Sequence, residues 1–217
     1  MIKKYKHLLF DLDGTITDSF EAITRSCVYA LDHFGIKVED RKTLLPFIGP
    51  PLRESFSSIY GFSDEQSAEA VRLYRERYNV HYLKEHTLYD GIVELLSDLK
   101  NAGFELYLAT AKPIALAEPL IRHFELEKYF TFLGGASMDK NRDNKCKVLE
   151  YVFKECSIDK DTAVMIGDRY HDMEGAEYMG IDALGVSYGF GTVDELAPYN
   201  PVFIADTPRE IFDFLTK

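Results

Sequence analysis

The sequence is poor in cysteine and in long apolar stretches, and each shortage removes a class of protein. Its three cysteines, Cys27, Cys146 and Cys156, are odd in number and lack paired spacing. This argues against a disulfide scaffold or a zinc site and fits a reducing compartment. No stretch approaches the ~20 apolar residues that a membrane span needs. The apolar run behind the N-terminal lysines ends at Phe10, too short for the core of a signal peptide. We therefore expect a cytoplasmic protein without membrane association.

Positive charge is also scarce. The chain has 25 lysines and arginines against 36 acidic residues, a formal net charge of −11. Nucleic-acid binding rests on a basic surface that neutralises phosphates, so a nucleic-acid partner is not expected. Residues 16–86 hold 11 acidic and 9 basic side chains, so most of the acidic excess lies in the rest of the chain. An anionic ligand approaching that part needs a cation and local hydrogen-bond donors.

Apolar periodicity divides the chain into a helical stretch and an alternating stretch. Leu8–Phe10 has the pattern of a buried strand, whereas residues 16–86 carry only helical patterns. From Thr87 onward helix and strand patterns alternate, which implies a parallel sheet covered on both faces. We predict a three-layer α/β core of residues 1–15 and 87–217, with an all-helical domain of residues 16–86 inserted after the first strand.

Local signals set the expected boundaries of several elements. Ser19 is predicted to cap the first helix, and Ser63 with Gln66 three residues later forms a capping box for another. Pro113 is expected to begin a helix. The strands predicted after the first are Phe104–Ala109, Tyr129–Leu133, Thr162–Ile166, Asp182–Val186 and Val202–Ala205.

Polar side chains follow three of the predicted strands. Asp11 and Asp13 come after the first strand, Thr110 after a second, and Asp168 with Asp172 after a third. Residues i and i+2 of a strand share a face, so Asp11 and Asp13 are expected to project together. Two negative charges at such a short distance need a positive partner, and a divalent cation can be that partner. Since ligands of open α/β sheets bind beyond the carboxyl ends of the strands, these side chains are expected to converge on one crevice.

The polar residues also resemble a family pattern. The Asp11–Thr15 segment is similar to motif one of the haloacid dehalogenase-like (HAD) hydrolases, Thr110 to motif two, Lys145 to motif three, and Asp168 with Asp172 to motif four. The resemblance spans nearly the whole chain in the family's order. It implies a Rossmann-like core with a helical cap, of the phosphoglycolate phosphatase-like branch.

The resemblance implies a role for each motif residue. Asp11 is the nucleophile that forms an aspartyl-phosphate, and Asp13 is first the general acid and then the base that activates water. Thr110 donates to a phosphate oxygen, and Lys145 neutralises charge on the phosphoryl group and on Asp11. The backbone N–H groups near Leu12 and Ala111 are the expected remaining donors to the phosphate.

The same resemblance implies a magnesium ion. Its protein ligands are Asp11, the backbone carbonyl of Asp13, and Asp168, with Asp172 in a supporting role. The ion screens the repulsion between a carboxylate nucleophile and the phosphate.

Two assignments leave alternatives open. Lys145 is taken as the phosphate-binding lysine because it begins a predicted helix where motif three usually falls, and its rivals are Lys112, Lys140 and Lys147. Arg53 lies where related caps present a specificity loop, and it can bind a carboxylate or second phosphate of the substrate. The alternative is a surface arginine at the start of a helix.

The leading functional hypothesis is a magnesium-dependent phosphatase acting on a small phosphorylated metabolite similar to phosphoglycolate. A nucleotide 5′-phosphatase or pyrophosphatase, or a sugar-phosphate mutase, uses the same residues. Asp13 argues against a dehalogenase, which lacks an acid–base carboxylate at this position. The non-enzyme alternatives are a receiver-like switch and a protein that binds a phosphorylated ligand without turnover. We expect a monomer or a weak homodimer.

Overall fold

The computed structural model describes residues 5–139 and 141–217, which form two compact units. Unit 1 comprises Met1–Thr17 and Leu88–Lys217, and unit 2 comprises Asp18–Thr87. The sequence places the inserted helical segment at residues 16–86. Among the described residues, none of the helices combines the length and apolarity that crossing a membrane requires.

Unit 1 is built on a six-stranded sheet. Its strands are β1 (His7–Phe10), β4 (Glu105–Pro113), β5 (Phe130–Ala136), β6 (Ala163–Gly167), β7 (Asp182–Val186) and β8 (Phe203–Ala205). They lie in the order β5-β4-β1-β6-β7-β8. Every neighbouring pair is parallel, and Leu9 of β1 lies opposite Tyr107 on one side and Met165 on the other. The predicted α/β fold with a parallel sheet is confirmed.

Helices cover both faces of this sheet. Those of unit 1 are α4 (Ile92–Asn101), α5 (Ile114–His123), α6 (Lys145–Cys156), α7 (Tyr170–Met179), α8 (Val193–Leu196) and α9 (Pro208–Leu215). Leu9 packs in one core cluster with Val148 of α6 and Met173 of α7. Leu8 and Phe10, which point to the opposite face, are also fully buried. The strand therefore reads as a continuous apolar run because both of its faces are covered.

The structure corrects the boundary between β4 and α5. The strand was predicted to end at Ala109, but it continues to Pro113, with an irregular register between Thr110 and Pro113. Pro113 is the residue before α5 and not its first residue. The apolar signal stops at Ala109 because the last three residues of the strand are only half-buried, although Pro113 still lies opposite Ala136 of β5.

Two short strands were missed. Thr17–Asp18 (β2) and Thr87–Leu88 (β3) form a two-stranded sheet where the chain passes between the units. Two residues are too few to show a period in the sequence.

Unit 2 is helical between these strands. Its elements are α1 (Phe20–His33), a 3₁₀ segment (Arg41–Phe47), α2 (Leu52–Tyr60) and α3 (Asp64–Glu85). The capping box before α3 is confirmed, because the Gln66 N–H donates to Ser63 Oγ and the Ser63 N–H donates to Gln66 Oε1. Ser19 occupies the predicted N-cap position of α1, but its side chain makes no capping hydrogen bond. The carboxylate of Asp18 accepts from the Phe20 N–H at 2.8 Å instead, and the Ser19 side chain is buried.

Candidate active site

The lysine that begins α6 is buried against the carboxylate that follows β1. Lys145 Nζ lies 2.7 Å from Asp11 Oδ1 and 2.7 Å from the carbonyl oxygen of Ala109. The Asp11 N–H donates to the carbonyl of Ile166, which extends the pairing of β1 with β6 and fixes where Asp11 emerges. Gly175 of α7 leaves room for the lysine stem, because a Cβ there would stand 2.7 Å from Lys145 Cγ.

Two further carboxylates, at the end of β6 and in the first turn of α7, complete a buried acidic cluster. One carboxylate oxygen from each of Asp11, Asp168 and Asp172 lies within 4.8 Å of the other two. Asp172 Oδ1 is 2.7 Å from Lys145 Nζ, and Asp172 Oδ2 accepts the Arg169 N–H. Two of the three carboxylates, Asp11 and Asp172, thus contact the buried ammonium of Lys145.

The electrostatics of the cluster show a deficit of positive charge. Burial, followed by repulsion from Asp172 and Asp11, holds the pKa of Asp168 well above its usual range. Burial also raises the pKa of Asp172, against the opposing effect of Lys145. Burial alone would lower the pKa of Lys145, but the carboxylates of Asp11 and Asp172 outweigh it and raise that pKa.

These residues fit a divalent cation. Asp168 Oδ1 is buried and has no hydrogen-bond partner within the described part of the chain. Mg²⁺ prefers hard carboxylate oxygens, and it would supply the missing positive charge among Asp11, Asp168 and Asp172. Asp13, whose backbone carbonyl the sequence predicts as a further ligand, is two residues from Asp11.

Glycines let the chain approach Asp168 closely. Gly14 has φ +91°, and a Cβ on it would overlap the carboxylate of Asp168. In the turn before α8, the Phe190 N–H donates to Asp168 Oδ2 at 2.7 Å, between Gly189 and Gly191. The sequence does not reveal this donor, because a backbone N–H leaves no side-chain signal.

Asp13 is held by a different lysine. Lys112 Nζ lies 2.6 Å from Asp13 Oδ2, and Thr17 Oγ1 donates to Asp13 Oδ1 at 3.3 Å. Thr110 is buried, and its Oγ1 accepts the Lys112 N–H at 3.2 Å. Ala111, between them, is half-buried at the end of β4.

The structure separates the candidate lysines. Lys145 contacts Asp11, Lys112 contacts Asp13, and Lys147 is exposed and pairs with Asp143, which precedes the same helix. Lys140 lies outside the described residues.

Arg53 belongs to unit 2. Its side chain is 52% exposed, and its Nη2 lies 3.2 Å from the carbonyl oxygen of Asp64 and 3.7 Å from that residue's Oδ1. These contacts are those of a surface arginine that links α2 to α3.

Glu195 of α8 was not singled out from the sequence. It accepts from Arg169 Nε at 2.8 Å and from the Tyr170 N–H at 3.0 Å. It therefore anchors the first turn of α7, which carries Asp172. An exposed-looking glutamate in a polar helix offers no signal of such a role.

The chain is similar to a known family and to several known proteins. A family model of haloacid dehalogenase-like hydrolases matches residues 8–186. A 5′-nucleotidase from Pseudomonas aeruginosa is 42% identical over 198 residues, which are 91% of this chain and 90% of that protein. The tyrosine-protein kinase PtkA of Mycobacterium tuberculosis is 38% identical over 187 residues, 86% of this chain and 64% of that protein. The crystal structure of a predicted phosphatase from Clostridium acetobutylicum is similar with a TM-score of 0.92 and 40% identity, over 98% of each chain.

Proposed function

The chain belongs to the haloacid dehalogenase-like hydrolase family and is a phosphatase of that family, and we propose that it hydrolyses a small phosphomonoester through Asp11. The observation that carries the proposal is the buried cluster of Asp11, Asp168 and Asp172, in which Asp11 and Asp172 contact Lys145. A surface turn would leave such carboxylates in water, whereas here they are buried together beyond the ends of β1 and β6.

The proposed reaction has two displacements. In the first, an Asp11 carboxylate oxygen bonds to phosphorus, the ester P–O bond breaks, and Asp13 gives a proton to the leaving oxygen. In the second, Asp13 takes a proton from water, the water oxygen bonds to phosphorus, and the Asp11–phosphorus bond breaks. Inorganic phosphate leaves and Asp11 is restored.

The surrounding residues support charge and orientation in both steps. Lys145 balances charge on Asp11 and on the transferring phosphoryl group, and the Thr110 hydroxyl is the proposed donor to a phosphate oxygen. Mg²⁺ held by Asp11, Asp168 and Asp172 would act as a Lewis acid that screens repulsion between the carboxylate and the phosphate.

For the substrate, we propose a nucleoside 5′-monophosphate as the first class to test. The support is the 5′-nucleotidase that is 42% identical over nine-tenths of both chains. The sequence alone favoured a substrate similar to phosphoglycolate, and that class is the second arm of the test. The helical unit 2 is the proposed cap that selects between them.

The chemistry is tested first with an activated aryl phosphate. Wild-type protein should hydrolyse p-nitrophenyl phosphate with Mg²⁺ and lose the activity after chelation. Asp11→Asn should lower kcat by about 10³-fold or more, because it removes the nucleophile. Asp64→Asn, at a carboxylate that is 88% exposed on α3, is the matched control and should retain activity. Metal-independent turnover, or full activity of Asp11→Asn, would contradict the mechanism.

The substrate class is tested by comparing kcat/KM for nucleoside 5′-monophosphates, 2-phosphoglycolate, inorganic pyrophosphate and sugar phosphates. The proposal expects nucleoside 5′-monophosphates to give the highest value. A preference for 2-phosphoglycolate would restore the hypothesis drawn from the sequence. Net conversion of one sugar phosphate to an isomer, without phosphate release, would indicate a mutase.

The kinase-named relative supports a second candidate, transfer of the phosphoryl group to a tyrosine hydroxyl. An aspartyl-phosphate can pass its phosphoryl group to water or to another hydroxyl. Incubation with γ-labelled ATP and a tyrosine-containing peptide distinguishes the two outcomes. Acid-stable label on tyrosine would favour the kinase candidate, and release of inorganic phosphate alone would favour the phosphatase.

A further inference from the structure

We propose that Lys112 is a positioning residue that orients the Asp13 carboxylate toward the leaving-group oxygen. This inference rests on the proposed function, in which Asp13 protonates that oxygen. It gives a role to a lysine that the sequence offered only as a rival of Lys145.

Lys112 contacts one oxygen of the Asp13 carboxylate, and Thr17 donates to the other. Nζ is 2.6 Å from Asp13 Oδ2, and the Lys112 side chain is only 6% exposed against 16% for Asp13. Thr17 Oγ1 donates to the other oxygen, Oδ1, at 3.3 Å. A charge-assisted hydrogen bond shielded from water restrains the carboxylate much more than an exposed pair would.

The backbone fixes where Lys112 stands. Its N–H donates to Thr110 Oγ1 at 3.2 Å, in the irregular end of β4 that the apolar pattern did not reveal. On the neighbouring strand, a Cβ at Gly135 would lie 2.9 Å from the Lys112 carbonyl oxygen. The end of β4 is therefore closely packed, and the backbone of Lys112 belongs to this packed strand end and not to a loose loop.

The two buried lysines divide their contacts. Lys145 reaches Asp11 and Asp172, which belong to the acidic cluster. Lys112 reaches Asp13, whose carboxylate is not part of that cluster. This division predicts that Lys112 affects the proton transfers made by Asp13, and that Lys145 acts on the transferring phosphoryl group.

The experiment compares leaving groups with Lys112→Met and Lys112→Arg, in the full chain with Mg²⁺. The parameter kcat/KM covers steps only through the first irreversible one, transfer to Asp11, so attack by water does not enter. An alkyl phosphate needs a proton on its leaving oxygen, whereas p-nitrophenyl phosphate hardly does. We expect Lys112→Met to lower kcat/KM for the alkyl ester by about 10-fold or more and for the aryl ester by less than about 3-fold.

Further variants separate orientation from substrate binding. Lys112→Arg, which keeps a cation on Asp13, should recover most of the alkyl-ester activity, and Lys147→Met is the matched surface control. In an Asp13→Asn background, Lys112→Met should cause no additional loss. Equal losses for both esters, a raised KM without a leaving-group effect, or multiplicative losses in the double variant would show that Lys112 binds substrate directly and would overturn the proposal.

A structural readout makes the test independent of turnover. Crystal structures of the variants should show the Asp13 carboxylate rotated away in Lys112→Met and retained in Lys112→Arg. An unchanged Asp13 rotamer in Lys112→Met would refute the positioning role even if the enzyme proved inactive on every ester. Conversely, an inactive wild type with the expected rotamer change would count against the proposed function and not against the contact.

Discussion

At the scale of single residues, Gly14 shows how little space surrounds the acidic cluster. Its backbone has φ +91°, and a side chain there would overlap the Asp168 carboxylate. Gly103 has a similar φ of +83° but nothing within 4 Å of the position of a Cβ. Both glycines have a left-handed backbone that would strain any other residue, but only at Gly14 would a Cβ also clash with a neighbour. Substitutions at the two positions therefore separate the effect of backbone strain from the effect of the clash.

We expect Gly14→Ala to abolish phosphatase activity and magnesium binding, because the new methyl group displaces Asp168. Gly103→Ala should lower the free energy of unfolding by about 1 kcal/mol through strain alone and leave magnesium affinity unchanged. Isothermal titration with Mg²⁺ and urea unfolding measure the two quantities. Normal magnesium affinity in Gly14→Ala would mean that Asp168 is not a ligand of the ion.

The residues of the site were predictable from the sequence to the extent that they are side chains at strand ends. Asp11 and Asp168 met this condition, whereas Lys145 was named because it begins a predicted helix. The contact of Lys112 with Asp13 did not meet it, because it depends on how far β4 continues beyond its apolar part. The Phe190 N–H was hidden for another reason: a backbone donor in a turn is the same for every residue type.

At the scale of elements, caps decide the helix boundaries in unit 2. Ser63 before α3 forms both hydrogen bonds of a capping box with Gln66, and the three-residue spacing of this pair predicted the box from the sequence. The sequence did not define the start of α1 in the same way, because Asp18 and Ser19 are adjacent and both residue types are good helix caps. In the structure Ser19 holds the N-cap position, whereas the carboxylate of Asp18 accepts the Phe20 N–H.

We expect Ser63→Ala to lower the free energy of unfolding by about 1 kcal/mol, since it leaves the Gln66 N–H without its acceptor. Ser57→Ala in α2 is a matched control, because Ser57 is exposed within a helix where alanine is at least as favourable. Urea unfolding followed by circular dichroism measures both. Equal effects of the two substitutions would show that the capping box does not stabilise α3.

At the scale of the whole molecule, the order of elements was the most predictable property. Alternation of helices and strands after Thr87 implied the parallel sheet, and a first strand of the same character implied that the helical stretch is an insertion. The order of the strands in the sheet did not follow from the apolar periodicity, because an apolar segment does not indicate which other strand it pairs with. β1 lies between β4 and β6, and this arrangement brings Asp11, Thr110 and Asp168 to the same edge of the sheet.

The chain has a formal net charge of −11 and gathers three of its carboxylates in one buried cluster. A cation that binds the folded protein but not the unfolded chain stabilises it by about 2.7 kcal/mol at 100 times its Kd. For a chain of this size, we expect saturating Mg²⁺ to raise the Tm by roughly 5–10 °C.

Scanning calorimetry with and without Mg²⁺ tests this prediction, with NaCl of equal ionic strength as the control for general screening. Asp168→Asn should lose the Mg²⁺-dependent shift, and its metal-free Tm should not fall, because the amide removes repulsion with Asp11 and Asp172 and can still accept the Phe190 N–H. Asp64→Asn removes the same charge at an exposed site and should keep the shift. If NaCl reproduced the effect, or if Asp168→Asn kept it, the stabilisation would come from the general acidity of the chain and not from an ion held at the ends of β1 and β6.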